Sequence, residues 1–235
     1  MASDNNKIIV LKLSGSLFFS EEFKKVVATL KQVLSKERNL KLVIISGGGP
    51  YARKYIETAR ELGADQTTMD EIGIEVSRLN AMVLASALGN SAQSSVPSTL
   101  SKLVKTTETF STSKRIVVIG GLYPGQSTNA VGALVTEKLR AEAFVNATDV
   151  DGVYDKDPRK FHDAKRLGVV SVKELSKILQ GESMQAGAYD LMDPVALKLI
   201  QRSRIQTWII KCDSNTIREF LTGRRKKGTR ILFED

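Results

Sequence analysis

Short aliphatic runs alternate along the chain with longer stretches of helical period. Ile8-Ile9-Val10-Leu11 is apolar without a break, and residues 40–45, 115–119, 144–147 and 207–210 are of the same kind. Nearly continuous, β-branched runs fit strands buried on both faces. Between them, residues 21–35, 51–62, 72–88, 129–141, 172–179 and 194–202 read as helices. In the second of these, Tyr51, Tyr55, Ala59 and Leu62 recur at spacings of three or four, which places them on one helix face. Strand–helix alternation of this kind predicts an α/β fold, a three-layer sandwich with a mostly parallel central sheet. Asp193 before Pro194 reads as a helix cap with proline at the first helical position.

Residues 91–113 interrupt the alternation. They are rich in Ser and Thr and contain Pro97, so they form either a domain linker or a connection with a short helix of its own. No Gly-Pro tract divides the chain elsewhere, and there are no repeats or heptads. The expectation is one compact domain over residues 1–235, a length that suits one large α/β domain or two small ones. With 42% apolar and 26% charged residues, disordered, collagenous and disulfide-scaffold classes are excluded. The single cysteine, Cys212, cannot form an internal disulfide and suggests a reducing compartment. Residues 1–7 have no basic leader pattern, and no run approaches the ~20 apolar residues of a membrane span. A cytoplasmic protein without membrane contact is expected.

Thirty-five basic residues against 26 acidic ones give a net charge of +9, which favours anionic partners. The basic residues are scattered, apart from Arg224-Arg225-Lys226-Lys227. That cluster reads as a solvated loop between a helix and the last strand. No basic stripe interleaved with aromatics is present, so a nucleic-acid partner is not expected.

Three glycine-bearing turns follow predicted strands: Lys12-Leu13-Ser14-Gly15-Ser16, Gly47-Gly48-Gly49-Pro50, and the stretch from Gly120 to Thr128. In an open α/β sheet, ligands bind beyond the carboxyl ends of the strands. Glycine lets the backbone approach an anion, and a helix N-terminus offers it free N–H groups. Three such turns on one edge, with Lys12 and Arg53 beside them, point to a phosphate site. The common nucleotide fingerprints are missing. There is no Gly-x-x-x-x-Gly-Lys-Ser/Thr and no Gly-x-Gly-x-x-Gly after a strand, and the protein-kinase loops are absent. The acidic stretch from Asp149 to Pro158 fails as a calcium loop, because Val153 and Tyr154 stand where Asp/Asn and Gly are required. Asp157-Pro158 reads as a turn. His162, the only histidine, reads as a loop residue, and Cys212 as a small core residue. With one of each, Cys–His catalysis and a thiol–imidazole zinc site are not expected.

Taken together, five blocks resemble a known family. Lys12-x-Ser14-Gly15-Ser16, Gly47-Gly48-Gly49-x-x-Ala52-Arg53, Asp70-x-x-Gly73, Gly121-x-x-Pro124-Gly125-x-Ser127-Thr128 and Thr148-Asp149-Val150-Asp151-Gly152-Val153-Tyr154-x-x-Asp157-Pro158 run in the order of the amino acid kinase fold. The chain most resembles the uridine monophosphate kinases of the short archaeal type, over nearly its whole length. The resemblance implies transfer of the γ-phosphoryl group of ATP to UMP, with Mg²⁺ bound mainly through the ATP phosphates and no dedicated metal site. It implies catalytic roles for Lys12 and Arg53. On the ATP side it implies Lys12, Gly15, Ser16, Gly49, Arg53, Thr148, Tyr154 and Asp157. For UMP it implies Gly48, Asp70 and the loop Leu122, Tyr123, Pro124, Gly125, Gln126, Ser127 and Thr128. Homohexamers built from dimers are implied too; Phe23, Val26, Val27 and Leu30 on the first helix offer apolar positions for a contact, and could as easily face the monomer's own core.

Phosphoryl transfer suits these residues, since it needs positioning and positive charge more than covalent help. One position departs from the pattern. Asn129 stands where many members carry an aspartate that orients the catalytic lysine; asparagine keeps one carbonyl acceptor. Asp70 also reads as a helix cap or first-turn acid. Kinases of carbamate, acetylglutamate, aspartate or isopentenyl phosphate share the fold, as does a non-catalytic nucleotide-binding storage protein. The absence of histidine after the second glycine turn disfavours isopentenyl phosphate. Retention of Lys12 disfavours storage.

Overall fold

The computed structural model describes residues 7–156, 158, 161–182, 191–225 and 227–233. Its elements are, in order, β1 (Lys7–Leu13), α1 (Glu22–Lys36), β2 (Leu40–Ser46), α2 (Gly49–Glu61), α3 (Gln66–Leu88), α4 (Leu100–Glu108), β3 (Ile116–Ile119), α5 (Thr128–Leu139), β4 (Ala143–Thr148), β5 (Val153–Tyr154), β6 (Arg166–Leu167), β7 (Val169–Ser171), α6 (Val172–Glu182), α7 (Pro194–Arg202), β8 (Thr207–Lys211), α8 (Ser214–Leu221) and β9 (Thr229–Leu232). The five aliphatic runs are strands and the six helical stretches are helices, as their periodicity predicts.

Seven strands form the main sheet in the order β3-β2-β1-β4-β8-β9-β7. Every pairing is parallel except β8 with β9. The two faces carry separate cores. Val26 and Leu30 of α1, Ala81 and Leu84 of α3, and Ile217 and Phe220 of α8 pack with Ile9, Leu11 and Leu13 on one face. Leu103 of α4, Val131 and Val135 of α5, Leu175 of α6 and Leu197 of α7 pack with Val10, Ile45 and Phe144 on the other. The result is the three-layer α/β sandwich with a mostly parallel sheet.

Several features were not legible in the periodicity. Residues 91–113 contain α4, capped by the Thr99 side chain, which accepts from the Lys102 N–H. That is the connection with its own helix. The strands β5, β6, β7 and β9 have four residues or fewer, too few for a period to show. The apolar positions of the first helix face the monomer's own core: Val26 and Leu30 are fully buried, and Phe23 and Val27 pack partly buried on the same core. The basic cluster lies between α8 and β9, as expected. Within it, Arg225 pairs with Glu142 and Lys227 with Glu219. His162 is exposed.

Candidate active site

Because β1, β2 and β3 are parallel neighbours, their carboxyl ends deliver all three glycine turns to one edge. The first two turns interlock. A Cβ on Gly15 would lie 2.1 Å from the Gly49 nitrogen, and a Cβ on Gly49 would lie 2.4 Å from the Gly15 carbonyl carbon. Backbone cannot yield at such distances, and Gly49 has φ +69, so this close approach requires glycine at both positions. Lys12 arrives at the same edge from β1. Its neighbours in register are Ile45 on β2 and Asn146 on β4.

The long helix α3 holds the second and third turns. The Asn80 amide donates to the carbonyls of Gly47 and Gly48, at 2.8 and 3.3 Å. The Ser77 hydroxyl accepts from the Gly121 N–H at 2.7 Å and donates to the Ile74 carbonyl. Arg78 donates to the carbonyls of Ser98, Gly121 and Leu122 at 3.1–3.4 Å. Asp70 accepts from the Gly125 N–H at 2.8 Å and from the Gln66 amide at 3.2 Å.

Asp70 is not a helix cap. The helix begins at Gln66 and its cap is Asp65, which accepts from the Thr68 N–H. Polar Gln66, Thr67 and Thr68, and then Asp70 and Glu71 around the single apolar Met69, hide that first turn from an apolar period. Sequence reasoning also missed Ser77, Arg78 and Asn80. A signal was available for two of them: Ser77 and Asn80 are polar residues among the buried positions of α3, which otherwise include Met69, Ile74, Ala81, Leu84 and Leu88.

A cavity of about 240 Å³ lies between these turns, lined by Gly48, Gly49, Arg53, Asp70, Gln126 and Thr128 among others. The Gln126 Oε1 in its wall is buried without a hydrogen-bond partner. The rest of the third loop serves differently. Leu122 buries its side chain in the apolar core, so only its backbone belongs to the loop. Tyr123 and Pro124 are exposed. Ser127 caps α5, accepting from the N–H groups of Asn129 and Ala130 at 3.1 and 3.0 Å, and donates to Asp193.

Beyond the first turn a second cavity, of about 1100 Å³, is lined by Ser16, Thr148, Asp149, Lys211, Asp213 and Lys227 among others. A smaller one of about 390 Å³ shares four of these and adds Tyr154. The structure thus brings Ser16, Thr148 and Tyr154 to one side. Asp157 lies outside the described residues. Asp149, which sequence reasoning left without a role, accepts from the hydroxyls of Ser14 and Ser16 at 2.9 and 2.6 Å. It ties the first turn to the end of β4. Tyr154 donates to Asp151 at 2.7 Å; that bond and burial raise its pKa. Burial pushes the Cys212 thiol up to about 12, against the Ser14 hydrogen bond and the Lys12 charge, so Cys212 is no nucleophile. Among the described residues, no three His, Cys, Asp or Glu side chains group to hold a metal ion.

Residues 7–211 match the amino acid kinase family. The uridylate kinase of Sulfurisphaera tokodaii is 42% identical over 206 residues, covering 86% of this chain and 88% of that protein. The uridylate kinase of Methanobrevibacter smithii is 36% identical over 229 residues, covering 95% and 98%. Among solved structures, the uridylate kinase of Archaeoglobus fulgidus superposes with a TM-score of 0.81 at 35% identity, covering 95% of this chain and 99% of that one. The UMP kinase of Ureaplasma parvum, at 22% identity and a TM-score of 0.76 over 97% and 99% of the two chains, shares the fold. On the glycine turns, the sheet order and these matches together, the chain belongs to the amino acid kinase family.

Proposed function

We propose that this chain transfers the γ-phosphoryl group of ATP to UMP, giving UDP and ADP. The carrying observation is the pair of cavities on either side of the interlocked Gly15 and Gly49. The smaller, with Arg53, Asp70, Gln126 and Thr128 in its walls, suits a nucleoside monophosphate: a cation for the phosphate, a carboxylate for the ribose hydroxyls, and amide and hydroxyl groups for a base edge. The larger, with Ser16, Thr148 and the neighbouring Tyr154, suits ATP, with Asp157 expected beside it. The uridylate kinase relatives support uracil as the base.

In the reaction, a UMP phosphate oxygen attacks the γ-phosphorus. The bond from that phosphorus to the bridging oxygen breaks, and ADP leaves with the electron pair. The UMP phosphate has a second pKa near ~6, so the nucleophile is already anionic and no general base is required. Lys12 and Arg53 are read as the cations that neutralise the transferring oxygens, and the backbone of Gly15 and Gly49 as their cradle. Mg²⁺ characteristically keeps waters and phosphate ligands and takes only one or two carboxylates. The Asp149 carboxylate on the ATP side fits that limited need, without a protein cage. When bound, the ion supplies neutralisation of the phosphate charge.

We read the protein as an oligomer as well, a homohexamer built from dimers. Leu79, Met82 and Val83 on α3 are 59%, 58% and 47% exposed and lie at helical spacing on one face, with Tyr51 and Tyr55 also exposed on α2. A monomer rarely leaves such a face uncovered. Light scattering giving a single 25.8 kDa species at micromolar concentration would overturn this. One kinase domain fits the sheet, whose central strands β1, β4 and β8 come from distant parts of the chain. A cytoplasmic site without membrane contact is retained. The only described helix long and apolar enough to cross a membrane is α3 with its following turn, and its polar residues hold the active-site loops.

The test is release of ADP with a panel of acceptors at fixed Mg·ATP. UMP is expected to exceed acetylglutamate, aspartate, carbamate and isopentenyl phosphate by at least ~10²-fold in kcat/KM, as for a site built to hydrogen-bond its substrate. Equal turnover of any non-nucleotide acceptor overturns the assignment.

A further inference from the structure

A groove of about 1000 Å³ runs between α6 and α7. It shares no lining residue with the cavities described above. Both helices belong to the layer that packs with Val10 and Phe144. The exposed face of α3, read above as an oligomer contact, belongs to the opposite layer.

The floor of the groove is apolar and its rim is basic. Leu197 is buried, Val172 and Leu199 are half-buried, and Val195 is 44% exposed. Above them stand exposed cations in two rows, Lys173 and Lys177 on α6 and Lys198 and Arg202 on α7. A spacing of four puts each pair on one face of its helix, a turn apart. No Asp or Glu is among the described lining residues. Arg202 is paired with Glu137 at 2.9 Å. The Lys177 charge reaches Glu174, but that carboxylate is already taken by the Ser171 N–H at 2.9 Å. No ion pair joins Lys173 or Lys198 to a described carboxylate. Charges of one sign around an apolar trough focus a positive field into it.

Shape and charge together select the occupant. The apolar groups are recessed below the cations, so a flat lipid surface meets the lysines first and leaves the floor uncovered. A rod fills the trough. With 11 residues in α6 and nine in α7, the walls are roughly 14–16 Å long at 1.5 Å per residue, enough for about three helical turns. We propose that this groove docks an acidic amphipathic helix of another protein. Its apolar stripe lies on the floor, and its carboxylates flank the stripe on both sides, opposite the two rows of cations. That is the helix-in-groove mode of recognition, with charges flanking an apolar seam as in a coiled coil. The proposal is independent of which acceptor the enzyme phosphorylates.

The probe is a labelled 14-residue peptide with Leu at heptad positions a and d and Glu at e and g. Its rows of Glu keep it from pairing with itself, and a peptide so short is barely helical alone. With the full chain at 50 mM salt, fluorescence anisotropy is expected to give a Kd below about 100 μM, and circular dichroism a gain in helix. Raising the salt to 0.5 M should weaken binding roughly tenfold or more. Lys173→Glu combined with Lys198→Glu should weaken it at least about tenfold at low salt, while melting temperature and ADP release stay at wild type. If that variant does not fold, Lys173→Gln with Lys198→Gln is read in the same way; failure of both to fold makes the lysines structural and overturns the proposal. Absence of binding, equal binding of a scrambled peptide of the same composition, or indifference to the lysine variants overturns it too. Tighter binding of phosphatidylglycerol vesicles than of the peptide would assign the groove to a lipid surface. A wild-type assembly that the lysine variants break apart in light scattering would assign it to a second copy of this chain. Either result overturns the proposal.

Discussion

The Asp70 carboxylate accepts a hydrogen bond from the Gly125 N–H at 2.8 Å, across 55 residues of sequence. It joins the second turn of α3 to the loop after β3 and forms part of the wall of the smaller cavity. A residue that both closes a loop and lines the proposed acceptor cavity is expected to affect binding before it affects stability.

Asp70→Asn keeps an acceptor for Gly125 but loses the charge. The KM for UMP is expected to rise about tenfold or more, as when a charged hydrogen bond to substrate is lost, and the KM for ATP to stay near wild type. Asp65→Ala is the control. It removes the true cap of α3, so it should lower the melting temperature by a few degrees and leave both KM values alone. Steady-state kinetics with a thermal melt on each variant separate the two roles. A change in stability alone for Asp70→Asn returns it to a structural part.

On the proposed role of Lys12, Lys12→Ala removes a preorganised charge from the phosphate path. A loss of ~10²–10³ in kcat is expected, with ATP binding retained in a calorimetric titration. A variant within threefold of wild type would remove Lys12 from the chemistry.

Arg78 spans three backbone carbonyls, of Ser98, Gly121 and Leu122, and so holds the third loop without lining the cavity. Arg78→Ala is expected to raise the UMP KM more than the ATP KM. Arg78→Lys should not restore it, because a point ammonium cannot replace a planar fork. Restoration by lysine would show that charge, not geometry, is what the loop needs.

Burial raises the pKa of Glu142, but hydrogen bonds and charge from Arg225 and Lys7 more than reverse this, so its folded pKa lies below the ordinary value. A depressed carboxylate stabilises the fold above its unfolded pKa and loses that contribution as pH falls through the folded one. Melting temperatures between pH 7 and pH 3 should therefore fall on the acid side less steeply for Glu142→Gln than for wild type. Parallel curves would mean that the Lys7–Glu142–Arg225 cluster is energetically idle, as many exposed ion pairs are.

Local patterning determined most of the architecture. Five strands and six helices were legible because an element buried on one or both faces must repeat apolar residues at its own period, and the glycine turns were legible because glycine punctuates strands. From these came the parallel sheet, which the strand pairing bears out, and the proposal of a ligand-binding edge with Lys12 and Arg53 as its cations. Tertiary structure alone decided the rest. The start of α3 at Gln66 was hidden because its first turn is polar and held by Asp65. The short strands β5, β6, β7 and β9 exist through their neighbours and have no period of their own. Gly15 meets Gly49, Asp70 meets Gly125, Asp149 takes Ser14 and Ser16, and Asn129 meets Asn146 at the Leu191 carbonyl. All of these contacts depend on strand register and helix approach. Periodicity tells a residue which way to face, whereas the distance between two residues far apart in sequence is set only when the layers close.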